Sequence, residues 1–242
     1  MIRTRLIGTG SYLPDRVVSN EEVGAPLGLS PEQIYRLTGI RERRRAGPHE
    51  ASSDMAIEAG RRALDAAGCD ASSIDAILLS TTSPDMVFPS TACLVQHRLG
   101  ATRAAACDVS AACCGFVYAL SVADAYIKTG MRHVLVVGSE VMSAITDWTD
   151  RNTCILFGDG AGAAVVSAGD EDGGRGILST HLGSDGHLNE LITVPAGGSR
   201  NPPSDKTIAE KMQCIKMKGH ETFKVAVRTL EEIGRASCRE RV

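Results

Sequence analysis

The 242 residues carry a net charge of −3, with 26 Lys and Arg against 29 Asp and Glu, and only 4% are aromatic. That balance supplies no basic surface for nucleic acid, few rings for stacking bases and no charge bias toward an anionic membrane. The longest apolar runs, such as Val134–Val137, fall far short of a membrane span, and the length suits one large soluble domain or two smaller ones.

In chain order, Arg5–Ile7 predicts a strand leading into a glycine turn over Gly8–Pro14. Behind Ser52-Ser53-Asp54, small and apolar residues at Ala56, Ile57, Gly60, Ala63, Leu64 and Ala67 keep helical spacing until Gly68, the pattern of a capped amphipathic helix. Ile74–Thr82 predicts a strand. Pro89–Leu99 predicts a helix with proline near its start and Gly100 after its end. Ala104–Val109 predicts a short buried strand, and Phe116–Ile127, apolar on nearly every face, a helix packed inside the domain and stopping at Lys128-Thr129-Gly130.

A strand over His133–Gly138 follows, and then Cys154–Phe157 and Ala161–Val166 flank Gly158-Asp159-Gly160, which predicts a tight turn between two strands. The sum is an α/β protein with a mostly parallel core sheet. Gly169–Gly174 has linker composition, beyond which Ile177–His181 predicts a strand and His220–Ile233 a helix. From Gly234 the apolar periodicity is lost, so 234–242 reads as a non-native tail, with a frayed native terminus as the alternative.

The chemistry concentrates at Ala111-Ala112-Cys113-Cys114-Gly115-Phe116. This run sits between the predicted strand and the predicted apolar helix. Unpaired N–H groups and the dipole at a helix entrance stabilise a thiolate, drawing its pKa below the free value of about 8.5. Cys113 is thus a candidate nucleophile, although a small packed hydrophobe suits the position too. Eight cysteines stand at 69, 93, 107, 113, 114, 154, 214 and 238 without a C-x-x-C pair or a histidine at ligand spacing, so no zinc is expected. Their placement in apolar segments fits a reduced, cytoplasmic protein. Gly158–Gly162 lacks the Lys-Ser/Thr of a phosphate-binding loop. Arg41, Arg43, Arg44 and Arg45 form a basic cluster that suits an anionic partner or a solvated face.

Five blocks carry a resemblance: Ile7–Pro14, Thr38–Arg43, Phe88-Pro89-Ser90, Asp108–Phe116 and Phe157–Ala163. Together, in this order, they resemble β-ketoacyl-acyl-carrier-protein synthase III of the thiolase superfamily, continuously to about Ile233. The resemblance implies a thiolase-like αβαβα layered sandwich of two related halves. Residues 1–169 would form the N-terminal half with the nucleophile, the first half being complete. Residues 175–233 would begin a C-terminal half that is partial.

The implied activity is an acyltransferase reaction of fatty acid biosynthesis. Within small-small-Cys-small-Gly-Phe the family nucleophile falls on Cys113, which would take an acyl group from acyl-coenzyme A before decarboxylative condensation with malonyl-acyl-carrier protein. Backbone N–H groups at the helix start would receive the thioester oxyanion, donors worth about 3 kcal/mol each. Phe88 matches a residue that borders the acyl pocket of a partner in a homodimer, Arg151 a coenzyme-contacting arginine, and Met217, Gly219 and Phe223 pantetheine-tunnel and pocket positions. Ordinary packing is the alternative for Phe88, Met217, Gly219 and Phe223, and an idle surface arginine for Arg151. Coenzyme A enters as substrate, with no cofactor, no metal, no nucleic acid and no membrane partner.

Two departures stand against the family pattern. Gln33 and Leu37 occupy the positions of a tryptophan and an arginine that clamp adenine, which leaves room for an unusual starter or a carrier-protein donor. The family's catalytic histidine and asparagine match none of His49, His97, His133, His181, His187 and His220, and are expected beyond the end of this chain. Two further readings are a starter-unit acyltransferase or ketosynthase of polyketide assembly and a non-catalytic carrier-protein partner.

Overall fold

A computed structural model describes residues 2–169 and 175–239, the last five as backbone alone. In chain order the elements are β1 (Arg3–Tyr12), β2 (Arg16–Ser19), α1 (Asn20–Gly24), α2 (Pro31–Thr38), β3 (Glu42–Arg45), α3 (Ser52–Ala67), β4 (Ala76–Ser80), α4 (Thr91–Leu99), β5 (Ala105–Val109), α5 (Gly115–Lys128), β6 (His133–Val141), β7 (Asp159–Gly169), β8 (Ile192–Thr193), α6 (Asp205–Ala209), β9 (Lys216–Met217) and α7 (Gly219–Arg239). No helix among the described residues is long and apolar enough to cross a membrane.

Packing groups the chain into two compact units, both discontinuous in sequence. One comprises 1–18, 42–144 and 158–180, and the other 19–41, 145–157 and 181–242. Of the linker expected at 169–174, Gly169 is the last residue of β7 and 170–174 lie outside the described residues, as do 240–242 of the expected tail.

The first unit is built on a five-stranded sheet in the order β1-β7-β6-β4-β5. Only β4 pairs in parallel, with β5 and β6, whereas β7 runs antiparallel to both β6 and β1. The sheet is therefore mixed and not mostly parallel: β7 returns from β6 without a crossover helix, which forces antiparallel pairing. Alternate residues of β4 serve two cores. Ile77 and Leu79 pack with Met55, Ala59, Ala63 and Val95 of α3 and α4, while Ala76 and Leu78 pack with Ala119, Ala123 and Ile127 of α5. This is why the β4 sequence is apolar without alternation.

Several sequence expectations change here. The glycines at 8 and 10 do not turn the chain; β1 runs through both. A Cβ at Gly8 or Gly10 would overlap the α3 backbone at Ala63 or Ala59, so these glycines let helix and strand touch. Pro89 lies outside α4, which starts at Thr91 with Ser90 as its N-cap. β5 is an edge strand paired with β4 alone, and Ala105 and Cys107, which share one face of the sheet, are exposed.

α5 is half-buried, not interior. Ala119, Ala123 and Ile127 face the sheet and Val117 is exposed. Cys154–Phe157 is not a strand, since Thr153 and Cys154 donate their amides back to the Asp150 carbonyl and curl the chain into turns. Ile177–His181 forms no strand either, although the Ile177 amide donates to the Thr4 carbonyl of β1 (2.9 Å).

In the second unit α2 carries a capping box and ends on left-handed Gly39. α7 continues past the expected end at Ile233 to Arg239, because Arg and Ala sustain a helix by propensity where no apolar stripe remains.

Candidate active site

In the first unit β4 and β5 end in register, Ser80 opposite Val109. Beyond Val109 the chain passes through Ala112, a non-glycine residue at φ 45°, into a single 3-10 turn over Ala112–Cys114 and then α5. Left-handed backbone at alanine costs about 1–2 kcal/mol and persists only where the surroundings over-determine it, a pattern concentrated at functional sites. The over-determination is visible. A Cβ on Gly115 would overlap the Ser80 Oγ, and Phe116 packs over Gly138 of β6, 3.5 Å from the site of its missing Cβ. Gly115 and Phe116 of the Cys-Cys-Gly-Phe run thus press the start of α5 onto the sheet. Cys113 and Cys114 both stand exposed at that corner, which removes the packed-hydrophobe reading of Cys113.

Neighbouring carboxylates organise the corner. Asp108 accepts the amides of Thr91 and Ala92, both at 2.8 Å, and so caps α4 from the adjacent strand. Cys107 beside it is a different kind of thiol. Partial desolvation of its thiol, then the Asp108 charge and Cys93, push it above the ordinary cysteine value although the residue as a whole is exposed.

Phe88 lies in the segment between β4 and α4. It is 82% exposed beside the 88% exposed Val87, so it is not a core residue. That segment is tied down on both sides. Glu140 accepts the Thr82 amide (2.8 Å) and the Ser83 hydroxyl (2.7 Å), and Asp85 accepts the amide and hydroxyl of Ser53 (2.9 and 2.7 Å). Asp159, buried at the start of β7, accepts the Ala46 amide and both the amide and the hydroxyl of Ser143. The Gly-Asp-Gly run is therefore a structural joint between β3, β6 and β7.

The arginine cluster is not a solvated face. Arg43 is buried, Arg44 donates to the Pro14 carbonyl (3.1 Å), and in the second unit Arg41 stacks on Tyr35 with its guanidinium 4.4 Å from the ring centroid.

The second unit holds Arg151, Met217, Gly219 and Phe223. Arg151 is exposed on a turn in which Asp150 accepts the amide and side-chain nitrogen of Asn152. Four residues earlier, Asp147 is buried and accepts the Thr149 amide (3.0 Å), the Thr149 hydroxyl (2.7 Å) and the Lys211 ammonium (2.9 Å). Burial opposes its charge, but the hydrogen bonds from Lys211 and Thr149 outweigh that and bring the carboxyl down to about 2. Met217 and Gly219 are adjacent, the Met217 Cε lying 3.6 Å from where a Gly219 Cβ would sit. Phe223 is 69% exposed on α7, and Val227 and Leu230 on the same apolar stripe are exposed as well.

Gln33 is occupied. Its Oε1 accepts the Ser30 backbone amide (2.8 Å) while the Gln33 backbone N–H donates to the Ser30 hydroxyl, so it serves the cap of α2. Leu37 is exposed. An open cavity of about 350 Å³ in this unit is lined by Asn20, Glu21, Pro31, Glu32, Tyr35 and Arg41, so it takes in Arg41 of the basic cluster but neither Arg151 nor Met217, Gly219 or Phe223. Among the described residues no group of three or more His, Cys, Asp or Glu is placed to hold a metal. The capping role of Asp108 and the ties made by Glu140 and by the Asp147–Lys211 pair leave no local signal, because they join residues 16 to 64 positions apart.

The family model for 3-oxoacyl-[acyl-carrier-protein] synthase III matches residues 107–186, a span that includes Cys113 and Arg151. The β-ketoacyl-[acyl-carrier-protein] synthase III of Alkalilimnicola ehrlichii is 51% identical over 235 residues, 96% of this chain and 71% of that protein. The enzyme of the same name from Caldanaerobacter subterraneus subsp. tengcongensis is 48% identical over 95% of this chain and 69% of its own length. Among solved structures, 3-oxoacyl-[acyl-carrier-protein] synthase III from Aquifex aeolicus superposes with a TM-score of 0.83 at 44% identity, covering 96% of this chain and 70% of that one. The priming β-ketosynthase of the R1128 polyketide pathway superposes at 0.81 with 36% identity, over 94% of this chain and 67% of that one. The mixed sheet flanked by helices is the thiolase-like fold, and the chain belongs to the β-ketoacyl-acyl-carrier-protein synthase III family of condensing enzymes.

Proposed function

We propose that Cys113 accepts an acyl group from an acyl-coenzyme A thioester and donates it to a malonyl-acyl-carrier-protein carbanion, as a condensing step of cytoplasmic fatty acid biosynthesis. The observation that carries this reading is the exposed Cys113 thiol on a strained turn at the start of α5, inside the segment matched to the family. The sulfur attacks the thioester carbonyl, the carbon–sulfur bond to coenzyme A breaks, and coenzyme A leaves as its thiol, taking up the proton that the Cys113 thiol gives up. The amides of Cys114 and Gly115 are committed to the Ala111 and Ala112 carbonyls, so the oxyanion falls to the Cys113 N–H. Malonyl then loses carbon dioxide, and its carbanion forms the new carbon–carbon bond as the Cys113 thioester breaks. The decarboxylation step is assigned to no histidine of this chain.

Coenzyme A is thus a substrate and no cofactor is required. Arg151 would contact its phosphates or adenine, Met217 and Gly219 would border the pantetheine, and Phe223 the acyl pocket. The exposed Phe88 would border the acyl pocket of a second copy in a homodimer. Similarity to a priming ketosynthase favours a second reading, a starter-unit ketosynthase of polyketide assembly.

Intact-mass spectrometry after mixing with acetyl-coenzyme A tests the first step. One acetyl group on the wild type and none on Cys113→Ala is expected; acetylation that survives this substitution overturns the assignment. A panel of acyl donors separates the two readings by the primer preferred.

A further inference from the structure

The turn that carries Arg151 is fixed from outside by one lysine. Lys211 sits just beyond α6 with φ 51°, a left-handed conformation that a lysine adopts at a cost of about 1–2 kcal/mol. Its backbone is pinned there: its amide donates to the Ile208 carbonyl and its carbonyl accepts the Cys214 amide. Two residues just beyond it extend the anchorage, the Met212 carbonyl accepting the Ala196 amide and the Ile215 amide donating to the Ile145 carbonyl at 2.8 Å. The strained knuckle aims the ammonium back at the turn, where it donates to Asp147 Oδ1 (2.9 Å) and Thr149 Oγ1 (2.7 Å). Asp147 in turn holds the Thr149 amide and hydroxyl. Asp150 then closes the next step by accepting from Asn152 and from the Thr153 hydroxyl. Arg151 is the exposed residue between these two carboxylate-centred turns.

We propose that Lys211 is a positioning residue for coenzyme A binding: its bridge to Asp147 and Thr149 locks the turn that presents Arg151. The strained backbone fits this role better than a passive surface ion pair, because an ordinary exposed pair needs no left-handed lysine to form and is worth little. A bridge to a buried, hydrogen-bonded carboxylate instead fixes geometry. The proposal rests on the reading of Arg151 as a coenzyme A contact.

The test is the dissociation constant for coenzyme A itself, measured on the full chain by calorimetry, with the fluorescence of Trp148, the chain's one tryptophan, as a second signal from within the turn. Four variants are compared with wild type: Arg151→Ala, Lys211→Met, Lys211→Arg and Arg228→Gln, the last a surface control on α7 whose guanidinium pairs with Glu232. Lys211→Met is expected to weaken binding about fivefold to tenfold, since a displaced contact group loses most of its value. Lys211→Arg should restore most of the affinity, and Arg228→Gln should leave it unchanged.

Thermal unfolding of each variant separates positioning from folding. If Lys211→Met and Lys211→Arg lower the midpoint equally yet differ in affinity, positioning is supported; if affinity only follows the midpoint, the proposal is overturned. Undiminished affinity in Lys211→Met, with Arg151→Ala weakened, overturns the lysine's role and leaves Arg151 standing. Unchanged affinity in Arg151→Ala, or no binding by wild type, overturns the reading of Arg151 and the proposal with it.

Discussion

Gly115 and Ser80 are in such close contact that a single methyl group on the glycine would occupy the space of the serine hydroxyl. The pair joins the end of β4 to the start of α5, and so sets the height at which Cys113 emerges from the sheet. Overpacking of this kind costs about 1–3 kcal/mol where the neighbours can shift. Gly115→Ala is therefore expected to lower the unfolding free energy by about that amount in urea titration. Ser80→Gly, which removes both atoms that the new Cβ would meet, should recover part of the loss. A double variant as unstable as the sum of the two single ones would show that the contact is not the cause.

Thiol reactivity should sort the cysteines by their surroundings. Cys154 and Cys214 are buried, Cys113 and Cys114 are exposed, and Cys107, exposed as a residue, has its thiol pushed up by partial desolvation, then by the Asp108 charge and Cys93. A raised value means less thiolate at neutral pH and a labelling rate that still climbs at alkaline pH. Peptide mapping after brief iodoacetamide treatment at neutral pH should find Cys113 modified ahead of Cys107, with Cys154 and Cys214 protected. Cys107 labelled first would contradict the order.

The parts of the fold legible in the sequence were those where one local signal is enough. Gly68 and Gly100 each end a helix in left-handed geometry, as their positions after an apolar periodic run require. The Cys-Cys-Gly-Phe corner was legible for the same reason, being a contiguous run between strand and helix. Gly8 and Gly10 misled because a glycine admits a turn and a close approach equally, and only the arrival of α3 decides between them. Cys154–Phe157 misled because four apolar residues suit a strand or a buried turn alike. The arginine run at 41–45 could not be resolved from charge, since strand pairing turns Arg43 inward and aims Arg44 at a carbonyl. Lys211 left no trace in the pattern at all, because its partner lies 64 positions earlier.

The carboxyl of Asp147 makes stability depend on acidity in a definite direction. Its folded value of about 2 lies below the ordinary carboxylate range, so the folded state binds the proton less readily than the unfolded chain. The stabilisation is fully present above about pH 4, the unfolded value, and is lost as pH falls toward about 2. Asp147→Asn should be less stable than wild type at neutral pH, and the two thermal midpoints should converge as the buffer is brought down through this window. A difference that stays constant from neutral pH to the acid limit would show that the loss comes from packing and not from the charge.

Phe88 offers a sharper test of assembly than of folding. Its ring is 82% exposed, so the folded chain gains little from it, and substitutions at such positions usually change stability by about 0.5 kcal/mol or less. The segment that presents it is nevertheless fixed by Glu140 and Asp85, whose hydrogen bonds do not involve the ring. A rigidly held, exposed aromatic is the form a binding anchor takes, and loss of an anchor typically costs about 2 kcal/mol or more of association. Phe88→Ala, which removes the ring from both copies, should accordingly leave the denaturation midpoint at low protein concentration unchanged while weakening self-association about a thousandfold in sedimentation equilibrium. Equal sedimentation of variant and wild type as dimers would remove Phe88 from the interface, and a wild type that sediments as a monomer at every concentration would remove the dimer.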